Sequence, residues 1–261
     1  TLEDRGGWAN RDTVYRFVDY SAAAAEAFSD RIQSWVTLNE PWCVAWLGYL
    51  SGVHAPGVKD LDAAIAAAHH TALAFNGVYP QNLVNFFGEK LERVVLPGDM
   101  DLVKVDTDFV GINYYSDSFV GVPRPEDRPA NDGGPFPFPH RSNGTPPGPL
   151  TDMGWPVTPE GIKNLVLRVK RDWPAIEDIA ITENGAAYDE GPDSNGEVDD
   201  ARRCQYLAEH IDNIEQAIEL GAPVKSYYAW SLLDNFEWAE GYQKRFGIIH
   251  VDFDTQVRTP K

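Results

Sequence analysis

Two glutamates in the sequence follow short strand-forming segments, Glu40 in TLNEP and Glu183 in ITENG. The run before Glu183 favours a strand that the glycine at position 185 brings to an end. Pro41 cannot donate to a strand ladder and favours an extended residue before it, so Glu40 is also expected at a strand tip. Two carboxylates at such tips can cleave a glycosidic bond. One donates a proton to the leaving oxygen, and the other attacks the anomeric carbon or activates water.

The segments around these glutamates are rich in residue types that bind sugars. Asn113, Tyr114 and Tyr115 lie at one predicted strand end, and the segment 229–247 lies at and beyond another. Aromatic faces pack on the apolar face of a pyranose, while carboxylates and amides hydrogen-bond its hydroxyls. Taken singly, a strand-end Glu is more often a solvated loop residue, and a Trp or Phe is more often part of the core. Only the combination indicates a sugar site.

Composition and charge restrict the partners of the protein. The chain has 22 basic and 40 acidic residues and a net charge of −18, which repels nucleic acids and anionic membrane surfaces and favours a neutral or cationic small molecule. Cys43 and Cys204 lie far apart, as is typical of reduced thiols in a cytoplasmic protein. The sequence has no Gly-rich phosphate loop and no His-Glu-x-x-His segment, so we predict neither a cofactor nor a metal.

The N-terminal residues show no signal-peptide core, and the chain has no long membrane-spanning run. It begins at Thr1 without a Met, which indicates a start inside a longer gene product.

Hydrophobic spacing predicts helices that alternate with strands. The predicted helices are 11–30, 61–76, one that opens at Thr158-Pro159, and 199–220; the predicted strands are 32–37, 108–115, 179–182 and 224–230. Such alternation is typical of parallel strands with helical crossovers, hence of the α/β class with a doubly wound sheet or a barrel. A chain of 261 residues, 43% of them hydrophobic, fits one barrel domain over 1–261. The stretch 121–160 holds 11 of the 19 prolines and is predicted to be a long loop.

Four segments closely resemble glycoside hydrolase family 1, the β-glucosidases and β-galactosidases, and follow that family's order. They are TLNEPW, NYYS, ITENGAA and WSLLDNFEWAEGYQKRFGIIHVDF. The resemblance implies a (β/α)8 TIM barrel. It also implies retaining hydrolysis of terminal β-D-glucosyl or related β-glycosyl residues through a covalent glycosyl-enzyme intermediate.

The resemblance also implies a role for individual residues. Glu40 corresponds to the acid/base and Glu183 to the nucleophile. The residues implied to bind substrate or to hold the nucleophile are Asn39, Asn113, Tyr115, Trp230, Glu237, Trp238 and Phe246. Glu237 disfavours a phosphorylated sugar because its charge would repel a phosphate. Glu40 argues against a myrosinase, which lacks the acid/base Glu.

The same motifs predict an incomplete barrel. The family's N-terminal segment, a strand and helix near residues 74–82, and the last helix have no counterpart in this sequence. We expect a truncated chain rather than partner copies that fill the gap, since half a barrel exposes strand edges. A catalytically silent sugar-binding fragment is therefore the alternative to an active hydrolase, and an unfolded remnant is a third possibility that cooperative unfolding would exclude.

Overall fold

The chain forms two compact units. The computed structural model describes residues 1–71, 79, 81–103, 107–122, 141–142 and 146–261. The first unit comprises Thr1–Asp106 and Val122–Arg141, and the second comprises Thr107–Gly121 and Ser142–Lys261. The predicted single barrel domain over 1–261 stays a prediction.

Residues 1–103 of the first unit contain helices and helical turns and no strand among those that the structure describes. Its helices are α1 (Asp12–Phe28), α2 (Leu61–His70), α3 (Gln81–Phe87), α4 (Glu89–Glu92) and α5 (Asp99–Val103), with 3-10 turns at Glu3–Arg5 and Gly7–Ala9 and a π-helical turn at Cys43–Leu47. The predicted helix at 11–30 is confirmed. The next helix, α2, has a side-chain cap at its N-terminus, because Asp60 Oδ1 accepts from the backbone N–H of Ala63 at 2.8 Å. The predicted end of that helix falls on residues 72–76, outside the described residues.

Arg11, His69 and Asp99 form a buried polar cluster in the first unit. Asp99 accepts from the Arg11 guanidinium, with Nη1 at 2.8 Å, and its Oδ2 lies 2.9 Å from His69 Nε2. The bonds from Arg11 hold the pKa of Asp99 well below its usual range. His69 therefore makes polar contacts in the interior of the first unit.

The second unit contains the parallel sheet. Its elements are β1 (Val110–Asn113), β2 (Val120–Gly121), α6 (Pro159–Asp172), β4 (Ile179–Asn184), α7 (Ala201–Glu219), β5 (Val224–Ala229), a 3-10 turn at Trp238–Glu240, β6 (Ile249–Val251) and β7 (Arg258–Pro260). In a further short strand, β3 (Arg141–Ser142), the first residue is assigned to the first unit and the second residue to the second unit. Among the described residues, the parallel sheet has the order β1-β4-β5.

Strands and helices alternate in the second unit as the spacing predicts. The chain runs β1, α6, β4, α7, β5, so each parallel pair is joined by a helix. The buried faces of α6 and α7 pack against the sheet, with Ile162 and Val166 from α6, Ile214 from α7, and Ile179 and Ile181 from β4 in one core. This packing fixes the carboxyl ends of the three strands relative to one another.

The prediction of a strand at 32–37 is wrong. This segment enters no ladder, and Trp35 and Val36 are 41% and 58% exposed. A strand needs a hydrogen-bonded neighbour, and the described residues that precede and follow this segment are helical. Glu40 is likewise not extended: its φ is 44°. Its carbonyl accepts from Val44 N at 3.2 Å, so the helical stretch starts at Pro41, where a missing N–H costs nothing.

The predicted loop at 121–160 is described only in part. Residues 123–140 and 143–145 lie outside the described residues. The described remainder includes β3, an isolated antiparallel bridge between Leu150 and Pro156, and the start of α6 at Pro159. Among the described residues, no helix combines the length and apolarity needed to cross a bilayer.

Candidate active site

Glu183 lies near the carboxyl end of β4, the middle strand of the described parallel sheet. The strand runs to Asn184, one residue beyond the glutamate. Its half-buried carboxylate accepts a hydrogen bond from the Tyr115 hydroxyl, with Oη 2.5 Å from Oε2. Tyr115 follows the neighbouring strand β1, whose Asn113 is in register with Glu183. A short bond to a charged acceptor holds the carboxylate in one orientation.

Asn184 organises the interior behind this pair. It is fully buried, and its amide donates to the Tyr114 carbonyl at 2.8 Å and to the Tyr206 hydroxyl at 3.1 Å. The Tyr227 hydroxyl donates to Asn184 Oδ1 at 2.8 Å, and the Tyr206 hydroxyl donates to the Tyr115 carbonyl at 2.9 Å. Burial raises the pKa of both hydroxyls, so they stay protonated donors. The network fixes the backbone of Tyr115 relative to β4.

The glycine of ITENG is required by a close backbone approach. Trp230 N donates to the Asn184 carbonyl at 2.9 Å, which brings the end of β5 onto the end of β4. A Cβ placed on Gly185 would lie 1.9 Å from the Trp230 carbonyl oxygen. Glycine therefore allows the two strand ends to meet, and it places Trp230 next to the residue that follows Glu183.

Tyr115 is also held by aromatic side chains. Its ring centroid lies 5.5 Å from that of Trp155 and 5.9 Å from that of Phe246, the second contact edge-on. Phe246 is only 1% exposed. The predicted contact of Phe246 with substrate is therefore disfavoured, because a buried ring has no surface to offer a sugar; it supports the ring of Tyr115 instead.

Glu237 and Trp238 lie in the segment that follows β5. Ser231 Oγ donates to Asn235 Oδ1 at 3.2 Å, and Asn235 Nδ2 donates to Glu237 Oε2 at 3.0 Å. Trp238 is 66% exposed, so its indole is accessible to a ligand. Ser231 N donates to the Phe246 carbonyl at 3.1 Å, so the start of this segment is tied to the aromatic group around Tyr115.

The structure brings most of the predicted site residues together in the second unit. Hydrogen bonds and ring contacts link Glu183, Tyr115, Trp230 and Phe246, and the side-chain bond from Thr182 Oγ1 to Asn113 Oδ1, 2.7 Å long, holds Asn113 beside β4. Asn39 and Glu40 belong to the first unit, where Asn39 is exposed and Glu40 half-buried. The described residues contain no group of three or more His, Cys, Asp or Glu side chains arranged for a metal.

His210 on α7 makes the stability of this network dependent on pH. Its fully buried ring stacks on Tyr206 at 3.9 Å, and Nδ1 lies 2.7 Å from the Tyr206 carbonyl oxygen. Burial lowers the pKa of His210, partly offset by that carbonyl and by Glu209. At a pH just below 6.5, the ordinary pKa of histidine, this side chain is protonated in the unfolded chain but still neutral in the folded protein. Neutral His210 therefore contributes its full stabilisation above the ordinary pKa. This contribution is lost as the pH falls through the lower pKa that His210 has in the folded protein.

We expect acidification from about pH 7.5 to 5.5 to destabilise the wild type more than a His210→Gln variant, by at most about 1.4 kcal/mol per pH unit. Urea unfolding of both proteins at the two pH values measures the difference. An equal pH dependence in the two proteins would show that His210 does not titrate in this window.

Comparison with known proteins identifies the family to which this geometry belongs. The model of glycosyl hydrolase family 1 matches residues 1–76 and 72–261, which together span the chain. The chain belongs to glycosyl hydrolase family 1. A 1,4-beta-D-glucan glucohydrolase of Thermotoga neapolitana is 37% identical over 313 residues, covering 99% of this chain and 71% of the relative.

Solved family 1 structures agree with this membership. The psychrophilic β-glucosidase BglU of Micrococcus antarcticus superposes with a TM-score of 0.90 at 35% identity, covering 100% of this chain and 69% of that one. A family 1 β-glucosidase of Thermotoga maritima in complex with isofagomine lactam gives 0.89 at 36% identity, covering 100% and 68%. The predicted α/β class and (β/α)8 barrel type are confirmed, and the chain spans about 70% of these relatives' length.

The family match also locates an internal gap. Its two matched segments meet at residues 72–76, at the edge of the predicted gap of 74–82, most of which lies outside the described residues. The alignment with the glucohydrolase runs over 313 residues, more than the 261 of this chain, so parts of the relative have no counterpart within it. The predicted absence of an internal strand and helix agrees with both observations.

Sequence reasoning missed several residues that position the site of this family 1 chain. The Asn184 carbonyl accepts from Trp230 N, Asn235 donates to Glu237, and the Tyr206 hydroxyl donates to the Tyr115 carbonyl. Asn184 and Asn235 lie within two of the motifs that resemble the family. The sequence signal for Asn184 is a polar residue at the end of an apolar strand segment. Tyr206 gives no such signal, because its contact with Tyr115 joins residues 91 positions apart.

Proposed function

We propose that the protein is a retaining glycosidase that cleaves terminal β-D-glucosyl or related β-glycosyl residues, with Glu183 as the nucleophile. The observation that carries the proposal is the 2.5 Å hydrogen bond from Tyr115 to Glu183 at the carboxyl end of a parallel strand. Barrel enzymes keep their reacting groups at these ends. Similarity to a glucan glucohydrolase and to β-glucosidases supports a β-linked glucosyl substrate.

The proposed reaction takes place in two displacements. One oxygen of the Glu183 carboxylate attacks the anomeric carbon while the bond to the leaving oxygen breaks, and the acid/base delivers a proton to that oxygen. The glycosyl ester on Glu183 is then displaced by water, which loses its proton to the same acid/base. Two inversions at one carbon give net retention.

Tyr115 has a defined task in these steps. Its hydroxyl donates to Oε2 and restrains the carboxylate, so the attack on the anomeric carbon keeps one direction. Two contacts restrain Tyr115 itself. Its carbonyl accepts from the Tyr206 hydroxyl, and its ring packs against the ring of Phe246. We assign the acid/base role to Glu40 on its TLNEP sequence, and the binding of the sugar 2-hydroxyl to Asn39 on the same segment.

Sugar binding is proposed for the residues beyond β5. Trp230 provides a stacking surface, and the carboxylate of Glu237 and the exposed indole of Trp238 bind hydroxyls on the far side of the glycone. Asn113, at the end of β1, contributes an amide beside the nucleophile strand. A small β-glycoside or oligosaccharide is the proposed substrate. We also propose a cytoplasmic location, because both cysteines are reduced thiols.

A 2-deoxy-2-fluoro-β-glucoside with a good leaving group tests the nucleophile assignment. The fluorine destabilises the oxocarbenium-like transition state, so the glycosyl ester accumulates when an activated aglycone drives the first step. We expect peptide mass spectrometry to find the fluoroglucosyl group on Glu183. The Glu183→Gln variant should stay unlabelled, and Glu177→Gln, which changes an exposed glutamate just before β4, should label as the wild type does. A label on another carboxylate, or none, contradicts the proposal.

A further inference from the structure

Asp234 forms a closed ionic site beneath the proposed sugar-binding segment. Its side chain has no exposed surface and accepts from Arg245 Nη1 at 2.8 Å and from Lys261 Nζ at 3.0 Å. Two backbone donors complete the set, Gly247 N at 3.0 Å and Val251 N at 3.2 Å. All four donors point at one carboxylate, an arrangement that an amide side chain with a single acceptor oxygen cannot reproduce.

The contacts of Asp234 close the segment that carries Glu237 and Trp238. Asp234 starts this segment, and its bond to Gly247 N joins start to end across 13 residues. Asp234 N also donates to the Ile249 carbonyl at 3.1 Å, which ties the start to β6. The closure is tight, because a Cβ added to Gly247 would lie 2.1 Å from Asp234 N.

The charges around Asp234 make it the centre of this closure. The Lys261 ammonium has no exposed side-chain surface either, and Arg245 also pairs with Asp189 through Nε at 3.0 Å. Burial alone would raise the pKa of Asp234, but the bonds from Arg245 and Lys261 outweigh it and hold the pKa below its usual value. The ionised carboxylate therefore offsets the charge of the buried Lys261 ammonium and pairs with the Arg245 guanidinium.

We propose that Asp234 is a positioning residue that fixes segment 235–246 and thereby sets selectivity for the hydroxyls on the far side of the glycone. Asp234 itself is buried and touches no substrate; it acts through Glu237 and Trp238. The inference rests on the proposed function, because that function assigns these two residues to the glycone. The buried contacts of Asp234 explain how an exposed segment can hold Glu237 and Trp238 in place.

Calorimetric binding of D-glucose and of D-xylose, which lacks the hydroxymethyl group, tests this role in the full chain. We expect the wild type to bind glucose more tightly than xylose, and Asp234→Asn to lower the ratio of the two affinities about tenfold. Displacement of the segment weakens a hydrogen bond between a charged group and a glucose hydroxyl, whereas stacking on Trp230 persists for both sugars. A merely structural defect would weaken both sugars equally. Asp254→Asn, the same change at an exposed aspartate, should leave the preference intact.

A second variant and a second measurement cover a folding defect. Lys261→Met removes one donor and keeps the other three, so a smaller loss of preference is expected. In both variants, hydrogen exchange should rise in peptides spanning 234–251 and not elsewhere. Preference retained in full by Asp234→Asn, or exchange that rises uniformly over the chain, overturns the positioning role. A wild type that binds neither sugar instead defeats the proposed function and this inference together.

Discussion

Glu183→Ala is expected to lower the hydrolysis of an aryl β-glucoside by about 10⁴-fold or more, because the residue that forms the covalent intermediate is removed. Release of nitrophenol by the 261-residue chain and by the variant measures the loss. The hydrogen bond from Tyr115 to Oε2 restrains the carboxylate, and alanine removes this positioned group altogether.

Addition of azide separates a lost nucleophile from a lost fold. The space left by the Glu183 side chain admits the small anion, which can attack the anomeric carbon while the aglycone leaves. We expect rate recovery with formation of the α-glycosyl azide, since one displacement inverts the configuration. Glu177→Ala should behave as the wild type. Near-normal hydrolysis by Glu183→Ala, or an equal loss in Glu177→Ala, contradicts the assignment. A chain inactive even before substitution would reject hydrolysis as its function.

Arg203→Met is expected to lower the free energy of unfolding by about 3–5 kcal/mol, the range for breaking a buried ion pair. Arg203, on α7, is 2% exposed, and its Nε bonds Asp200 Oδ2 at 2.7 Å. Its guanidinium also donates to the carbonyls of Ala186, Tyr188, Arg245 and Phe246, which belong to the segments that follow β4 and β5. The variant leaves a buried carboxylate unpaired and removes donors from these carbonyls.

Arg202 provides the matched control, because it is the adjacent residue on the same helix. It is half exposed, and its partners Glu190 and Asp152 lie near the surface, so Arg202→Met should cost less than about 1 kcal/mol. The double variant Arg203→Met/Asp200→Leu should recover part of the loss, since the uncompensated charge is gone. Urea unfolding followed by tryptophan fluorescence measures all three. Equal effects of the Arg202 and Arg203 changes would contradict the assignment of the cost to the buried pair.

The sequence predicted the parts of the molecule that depend on local patterns. The helix opened by Pro159 and the strand that carries Glu183 each follow from neighbouring residues. Four motifs were enough to indicate the family. The expected strand at 32–37 failed, because strand formation depends on a partner that hydrophobic spacing cannot supply.

The positioning residues were not predictable for the same physical reason. In the sequence alone, Asp234 does not differ from other aspartates in loops, and Arg203 does not differ from other charged residues on an amphipathic helix. Their significance comes from burial and from partners up to 43 positions away. Such bonds form only after the fold has brought distant segments together. Phe246 shows a related limit of the sequence, which implies a sugar contact for this aromatic residue but not the burial of its ring.

The left-handed backbone conformation of Glu40 lowers stability at a position to which we assign proton transfer. Its φ of 44° costs a side-chain-bearing residue about 1–2 kcal/mol, a cost that glycine would avoid. A search for more stable sequences, scored by folding alone, would therefore favour replacing this glutamate. Protein engineering that aims at heat resistance in this chain has to hold position 40 fixed, or it will select against the carboxylate to which we assign proton transfer.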